Sequence, residues 1–141
     1  MAAKPGRAHS GVLIGFVSDE SRMAVQHSID GAMHRLSGVE CQSVFADFSL
    51  PAPDARRLTA VRFVDDRDAS LCQGGSSVLA FTFPGAYVVH MCGRRFLEMV
   101  RTSRTLAEVV IIHEFLHVLG LGENPPSSQA ITVHVAARCA P

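Results

Sequence analysis

The chain lacks an excess of charge of either sign, because its 13 basic and 13 acidic residues give a formal net charge of zero over 141 residues. Such a mixture offers no electrostatic footprint for nucleic acid or for an anionic membrane, so we expect neither as a partner. No apolar run reaches the length of a transmembrane helix, and no internal repeat interrupts the chain. With 48% hydrophobic residues, the chain is expected to bury the core of one small domain.

A C-x-x-C pair is also absent, which removes a common signature of a structural zinc site or a redox couple. The four cysteines are widely spaced instead, at positions Cys41, Cys72, Cys92 and Cys139. An even number in a small domain favours two disulfides, with three possible pairings, and an exported protein that is secreted or periplasmic. Buried free thiols are the alternative, because cysteine is among the most buried residue types.

The N-terminal region contains a short apolar run from Gly11 to Val17, preceded by Lys4 and Arg7. The run is too short for a signal peptide and has no small-residue cleavage site, so we interpret it as the first strand. Residues 1–10 are expected to be a disordered leader or a cloning remnant, with any export signal already removed. Residues 11–141 are then expected to form a single domain.

Helical spacing of apolar residues follows the first strand, from Val25 to Leu36, with a helix start at Ser18. The two histidines on this helix, His27 and His34, are expected at its surface. Further along, the pattern predicts strands over residues 43–48 and 60–64.

Two more strands are predicted over residues 78–83 and 86–91, joined by a turn at Pro84 and Gly85. A short C-terminal helix is predicted to begin at Ser127 or Ser128 and to end near Cys139. A disulfide at Cys139 could attach this helix to the rest of the domain.

The most informative segment is H-E-x-x-H at positions 113–117, within an apolar stretch typical of a buried helix. Residues four apart lie on one face of a helix, so His113 and His117 can bind one metal ion between them. Glu114 then lies beside the ion, where a general base is needed. Without a metal, these buried groups would leave polar atoms unsatisfied. Thr105 and Glu108 have the spacing of a capping box that would begin this helix.

With this motif the sequence resembles the zincins, a group of zinc-dependent metallopeptidases, and within them the metzincins. The metzincin signature H-E-x-x-H-x-x-G-x-x-H is matched up to Gly120, and its last position is occupied by Glu123. A glycine at position 120 permits the positive φ with which the chain can end the helix and turn back towards the metal. The resemblance implies that Glu123 is the third ligand, in place of the usual histidine.

The sequence also departs from the metzincin pattern. No methionine follows the motif, since Met91 and Met99 both precede it, so the methionine-containing turn of that group is missing. The tail, residues 124–139, resembles the ending of uncharacterised bacterial zincin-like proteins, which suggests a bacterial origin.

The residues alone leave the third ligand open. Spacing favours Glu123, His134 is the main alternative, and acids such as Glu98 and Glu108 are weaker candidates. No acid occurs after Glu123. The gluzincin arrangement, in which the third ligand is a glutamate on a later helix, is therefore excluded unless His134 replaces that glutamate.

The resemblance implies a zinc-dependent endopeptidase that holds one Zn²⁺ through His113, His117 and Glu123. Glu114 would accept a proton from the water that the zinc activates and would later donate it to the leaving amine. Tyr87, the only tyrosine, is a candidate for stabilising the oxyanion. A peptide or protein is therefore the expected substrate, and we expect a monomer.

The expected fold class is α+β and zincin-like. It has a small twisted mixed β-sheet, an N-terminal helix, an active-site helix carrying H-E-x-x-H beneath the sheet and a short C-terminal helix. In zincins the strand nearest the active-site helix is typically an edge strand that pairs with extended substrate, and residues 74–77 could border that cleft. Two other functions stay open: a non-catalytic module stabilised by zinc, and a metal-dependent amidohydrolase for a non-peptide substrate.

Overall fold

A computed structural model describes residues 11–53 and 55–141, so the expected N-terminal leader, residues 1–10, lies outside the described residues. Within the described ranges the chain forms six α-helices and one four-stranded sheet. The helices are α1 (Asp19–Leu36), α2 (Val39–Asp47), α3 (Ala55–Thr59), α4 (Gly93–Thr102), α5 (Arg104–Val118) and α6 (Ser128–Cys139). The strands are β1 (Val12–Ile14), β2 (Arg62–Asp65), β3 (Ala80–Phe81) and β4 (Val88–Met91).

The sheet has the strand order β1-β2-β4-β3. The first three of these strands are parallel, and β3 pairs antiparallel with β4, with Phe81 opposite His90. A turn joins β3 to β4, in which the Ala86 N–H donates to the Phe83 carbonyl at 2.9 Å and Gly85 has φ 82°. The predicted mixed sheet is confirmed, as are the predicted turn and its two flanking strands, although both strands are shorter than predicted.

The core lies between the sheet and α5. Phe63 on β2 and Val89 and Met91 on β4 are fully buried, and the ring of Phe63 meets Phe115 of α5 edge-on at 6.1 Å between centroids. Helix α5 also packs against α1, α4 and α6, and its residues 111–118 are all buried. A helix enclosed on several sides is a rigid support for side chains that need a defined position.

Helix α1 begins where the sequence predicts, because the Ser18 hydroxyl accepts a hydrogen bond from the Ser21 N–H at 3.2 Å. His27 and His34 are exposed, as predicted. Gly31 allows α1 to approach α5 closely, since a Cβ at this position would collide with the carboxyl group of Glu108. That carboxylate pairs with Arg35 of α1 at 2.8 Å.

Two local predictions are wrong. Residues 43–48, predicted as a strand, belong mostly to α2, because Cys41, Val44 and Phe45 are buried at the spacing of one helical face. The capping box at Thr105 and Glu108 does not form. Helix α5 is capped by the side chain of Ser103, which accepts from the Leu106 N–H at 3.1 Å, while Glu108 pairs with α1.

The four cysteines form two disulfides, as predicted, and the structure selects one of the three possible pairings. Cys41 of α2 is joined to Cys139 at the end of α6, and Cys72 is joined to Cys92 just before α4. The C-terminal helix is therefore attached to the domain by a disulfide, and the two bonds suggest an oxidising location, extracellular or periplasmic. Among the described residues, no helix combines the length and the apolar character needed to cross a membrane.

Candidate metal centre

The H-E-x-x-H residues lie in the last two turns of α5. The side chains of His113 and His117 project from the same face, and their Nε2 atoms are 3.0 Å apart. His113, Glu114 and His117 are each no more than 5% exposed, so the motif lies in the protein interior. Burial of polar side chains is costly unless each finds a partner, and all three have one, as described below.

The end of α5 returns the chain to this face. The Leu121 N–H donates to the Leu116 carbonyl at 3.0 Å, and the Gly120 N–H donates to the His117 carbonyl at 2.9 Å. This pair of hydrogen bonds is a Schellman motif, which needs a residue of positive φ, and Gly120 has φ 113° as predicted. The turn places Glu123 beside His113 and His117.

Glu123 is the carboxylate that meets the two imidazoles. Its Oε1 atom lies 3.5 Å from His117 Nε2 and 3.9 Å from His113 Nε2. The donor atoms of His113, His117 and Glu123 all lie within 4.8 Å of one another, so the group could bind a metal ion. A tetrahedral ion that bonds nitrogen and oxygen at 2.0–2.2 Å needs donors about 3.3–3.6 Å apart, and the observed separations bracket that range.

Both histidines make a hydrogen bond through the nitrogen that faces away from the group. His117 Nδ1 donates to the Leu121 carbonyl at 2.7 Å, since a carbonyl can only accept, and Nε2 is the nitrogen that faces Glu123. His113 Nδ1 contacts the Thr132 hydroxyl of α6 at 2.8 Å. Such outer partners orient imidazoles that bind metals.

Burial affects the charge of His113. Desolvation, reinforced by the nearby His117, lowers the pKa of His113 to about 4, so its imidazole is neutral at pH 7. Metals bind the neutral imidazole, and no proton has to be removed from this ligand at neutral pH.

Glu114 is almost fully buried, and its Oε2 atom accepts a hydrogen bond from the Thr82 hydroxyl at 2.8 Å. Burial raises the pKa of Glu114 to about 7, although the Thr82 hydrogen bond and the nearby His117 lower it in part. Glu114 is not a member of the donor group, yet its pKa is affected by the charges of both His117 and Glu123. The carboxyl group therefore lies beside the candidate metal position.

A cavity of about 540 Å³ opens onto this group. One side is formed by the edge strand β3 and the residues that follow it, and the other by α5 and the start of α6. Its lining residues are Leu71, Val78, Ala80, Phe81, Thr82, Phe83, Pro84, His113, Glu114, His117, Glu123 and Ser128. A second recess of about 400 Å³ shares His113 and Glu114 and extends between α5 and α6 as far as Thr132, with Ser77 at its border. Residues 74–77 were expected to border the cleft, and of these Ser77 lines the second recess.

The alternative ligands lie elsewhere. His134 Nε2 lies 2.7 Å from a carboxylate oxygen of Asp47, and Glu108 forms an ion pair with Arg35. Glu98 lines a pocket beside the Cys72–Cys92 disulfide. Among the described residues, the donor group contains none of these three. Tyr87, the predicted oxyanion partner, is half exposed and is not among the residues that line the two recesses.

Comparison of the chain with protein-family models, curated proteins and solved structures finds no match. The inference of function therefore depends on the site itself. Sequence reasoning missed Thr82 and Thr132, which contact the base and a candidate ligand from distant elements. The only sequence signal for them is a hydroxyl residue in a predicted strand and another in a predicted helix, which is too common to identify a partner.

Proposed function

We propose that the protein is a zinc-dependent metallopeptidase in which His113, His117 and Glu123 hold one Zn²⁺ and Glu114 is the general base. One observation carries the proposal: a buried carboxylate that is not a donor lies beside three donors at the floor of an open cavity. A group with this position can exchange a proton with a molecule held at the metal, which a structural site does not require.

The residues present fit a zinc ion. Two imidazole nitrogens and one carboxylate oxygen are ligand types of catalytic zinc sites, and their separations suit tetrahedral coordination. Both histidines are held by outer hydrogen bonds, and Glu123 is 43% exposed, so the site is accessible from the cavity. When bound, zinc would supply Lewis acidity, which makes a water acidic near neutral pH and polarises a carbonyl.

Glu114 would move the proton in this scheme. The Thr82 hydroxyl fixes Oε2, and we assign to Oε1 the proton taken from the attacking water. The same oxygen would then return that proton to the amine released from the scissile bond. Because Glu114 is buried, bulk water has little access to its carboxylate and does not compete for the proton.

Strand β3 supports a peptide as the substrate. It is an edge strand that pairs with β4 on one side, and Ala80 and Phe81 line the cavity beside His113 and Glu114. An extended peptide that pairs with such an edge would have its backbone placed next to the metal position. We also propose that the protein is exported and acts as a monomer.

A non-catalytic zinc module is the main competing function. Structural zinc sites are usually closed by four protein ligands, whereas the donor group found among the described residues has three members. The open cavity above these donors and the separate carboxylate of Glu114 both favour an enzyme over this alternative.

The test compares Glu114→Ala with Glu123→Ala, using zinc content and cleavage of a peptide library. Glu114→Ala is expected to retain one zinc and to lose hydrolysis by a factor of at least about 100, because the base is removed while the ligands stay. Glu123→Ala is expected to lose zinc. Glu98→Ala, which removes a distant acid, is the matched control and is expected to behave as wild type.

Unchanged hydrolysis in Glu114→Ala would remove Glu114 as the base. A wild-type protein that binds one zinc but cleaves no peptide would favour the non-catalytic module or a different amide substrate.

A further inference from the structure

The two histidines of the candidate metal centre are oriented in different ways. The His117 ring is held by the carbonyl of Leu121, which is only four residues away in the turn that ends α5. The His113 ring is held by the Thr132 hydroxyl, which lies on the separate helix α6. The orientation of one ligand therefore depends on a second helix.

We propose that Thr132 is the positioning residue for His113 and that α6 is thereby part of the metal centre. The inference rests on the metal site proposed above but does not require that the protein cleave peptides. An imidazole that binds a metal through Nε2 carries its remaining proton on Nδ1, and that N–H needs an acceptor. The Thr132 hydroxyl oxygen lies 2.8 Å from Nδ1, where it can be that acceptor.

Helix α6 is well attached, so it can hold this hydroxyl in place. Ile131 and Val135, on either side of Thr132 in sequence, are fully buried. Arg138 pairs with Asp47 of α2 at 2.9 Å, and the Cys41–Cys139 disulfide joins the end of α6 to α2. These contacts restrict the sliding or rotation of α6 that would withdraw the hydroxyl from His113.

A hydroxyl differs from a carbonyl because it can either donate or accept. The Thr132 hydroxyl can therefore hold the His113 ring in either tautomer: it can donate to Nδ1 when the ring proton is on Nε2, and it can accept from Nδ1 when Nε2 binds an ion.

The first experiment measures Zn²⁺ affinity by competition with a chromogenic chelator for the wild type, Thr132→Val and Thr132→Ser. Valine has the shape of threonine but leaves the Nδ1–H without an acceptor, so affinity is expected to fall about 10- to 100-fold. Serine restores the hydroxyl and is expected to restore the affinity to within about threefold of the wild type. Thr102→Val is the matched control, because it removes an exposed hydroxyl that donates to the Glu98 carbonyl within α4, and its affinity is expected to match the wild type.

A folded Thr132→Val protein with wild-type zinc affinity would overturn the inference, as would an equal loss in Thr132→Ser. A loss of affinity in Thr132→Val alone would support it even if no variant cleaves a peptide, so the two proposals can fail separately.

A second experiment uses the wild-type chain and does not depend on the folding of a variant. Long-range ¹H–¹⁵N spectra of the imidazoles at pH 7, recorded with one equivalent of zinc, are expected to show His113 bound through Nε2 and protonated on Nδ1, the nitrogen that faces Thr132. A His113 that binds zinc through Nδ1, or that carries no proton on Nδ1, would contradict the role of Thr132 as its acceptor.

Discussion

Replacement of Glu114 by glutamine should change how the stability of the metal-free protein depends on pH. Burial raises the pKa of Glu114 from 4.5 to about 7. One pKa unit corresponds to about 1.4 kcal/mol, so the shift corresponds to roughly 3 kcal/mol between the folded and unfolded states. Glutamine keeps the shape and can still accept a hydrogen bond from Thr82, but it cannot ionise.

The direction of this pH effect follows from the number of protons that the folded and unfolded states bind. Between pH 4.5 and about 7 the folded protein keeps a proton on Glu114 that the unfolded chain has lost, so the wild type loses stability as the pH rises through this range. Glu114→Gln does not incur this loss. The free energy of unfolding of the variant, minus that of the wild type, should therefore increase by about 3 kcal/mol from pH 4 to pH 8.

His113 has the opposite effect, because its pKa is lowered to about 4 and the folded protein resists its protonation as the pH falls. This contribution is present in both proteins and is removed by the subtraction.

The assay is urea unfolding followed by circular dichroism, with EDTA present, at pH values from 4 to 8. Glu98→Gln, a change at an exposed acid, serves as the control and should show a flat difference from the wild type. A flat difference for Glu114→Gln would refute the account of its buried carboxyl group, and a difference that falls with increasing pH would reverse its sign.

Two further predictions concern the backbone and the disulfides. Gly120→Ala should destabilise the protein by about 1–2 kcal/mol and weaken zinc binding, because φ is 113° in the turn that places Glu123, whereas Gly122→Ala should be neutral in both assays. Removal of the Cys41–Cys139 disulfide by serine substitution should cost about 5 kcal/mol in urea unfolding, and removal of Cys72–Cys92 about 3, because their sequence separations are 98 and 20 residues. The reverse order would contradict this loop-closure argument.

The three donors could be predicted from sequence because their geometry is local. The spacing of His113 and His117 is set by the helix repeat, and Gly120 sets the direction of the chain that leads to Glu123. Eleven positions of the chain therefore contain this candidate donor group, whereas the sequence alone left His134 open as an alternative third ligand.

The partners of these residues could not be predicted, because they depend on tertiary packing. Thr82 is 32 residues before Glu114, and Thr132 is 19 residues after His113. Which hydroxyl reaches which side chain is decided by the position of β3 and α6 against α5, and neither position is encoded by local spacing.

The same limit explains the misassigned segment. Residues 43–48 contain β-branched and aromatic side chains typical of a strand, but the contacts that stabilise α2 are made with α6, about ninety residues later. The disulfide between Cys41 and Cys139 belongs to the same interface, so its pairing could not be predicted from local sequence patterns either.

The central claim, a single metal ion held by two imidazoles and one carboxylate, is tested most directly by anomalous diffraction at the zinc edge from crystals grown with equimolar Zn²⁺. One strong peak is expected within bonding distance of His113 Nε2, His117 Nε2 and a carboxylate oxygen of Glu123, with Glu114 outside that distance. A peak elsewhere, or no peak at these three side chains, would contradict it.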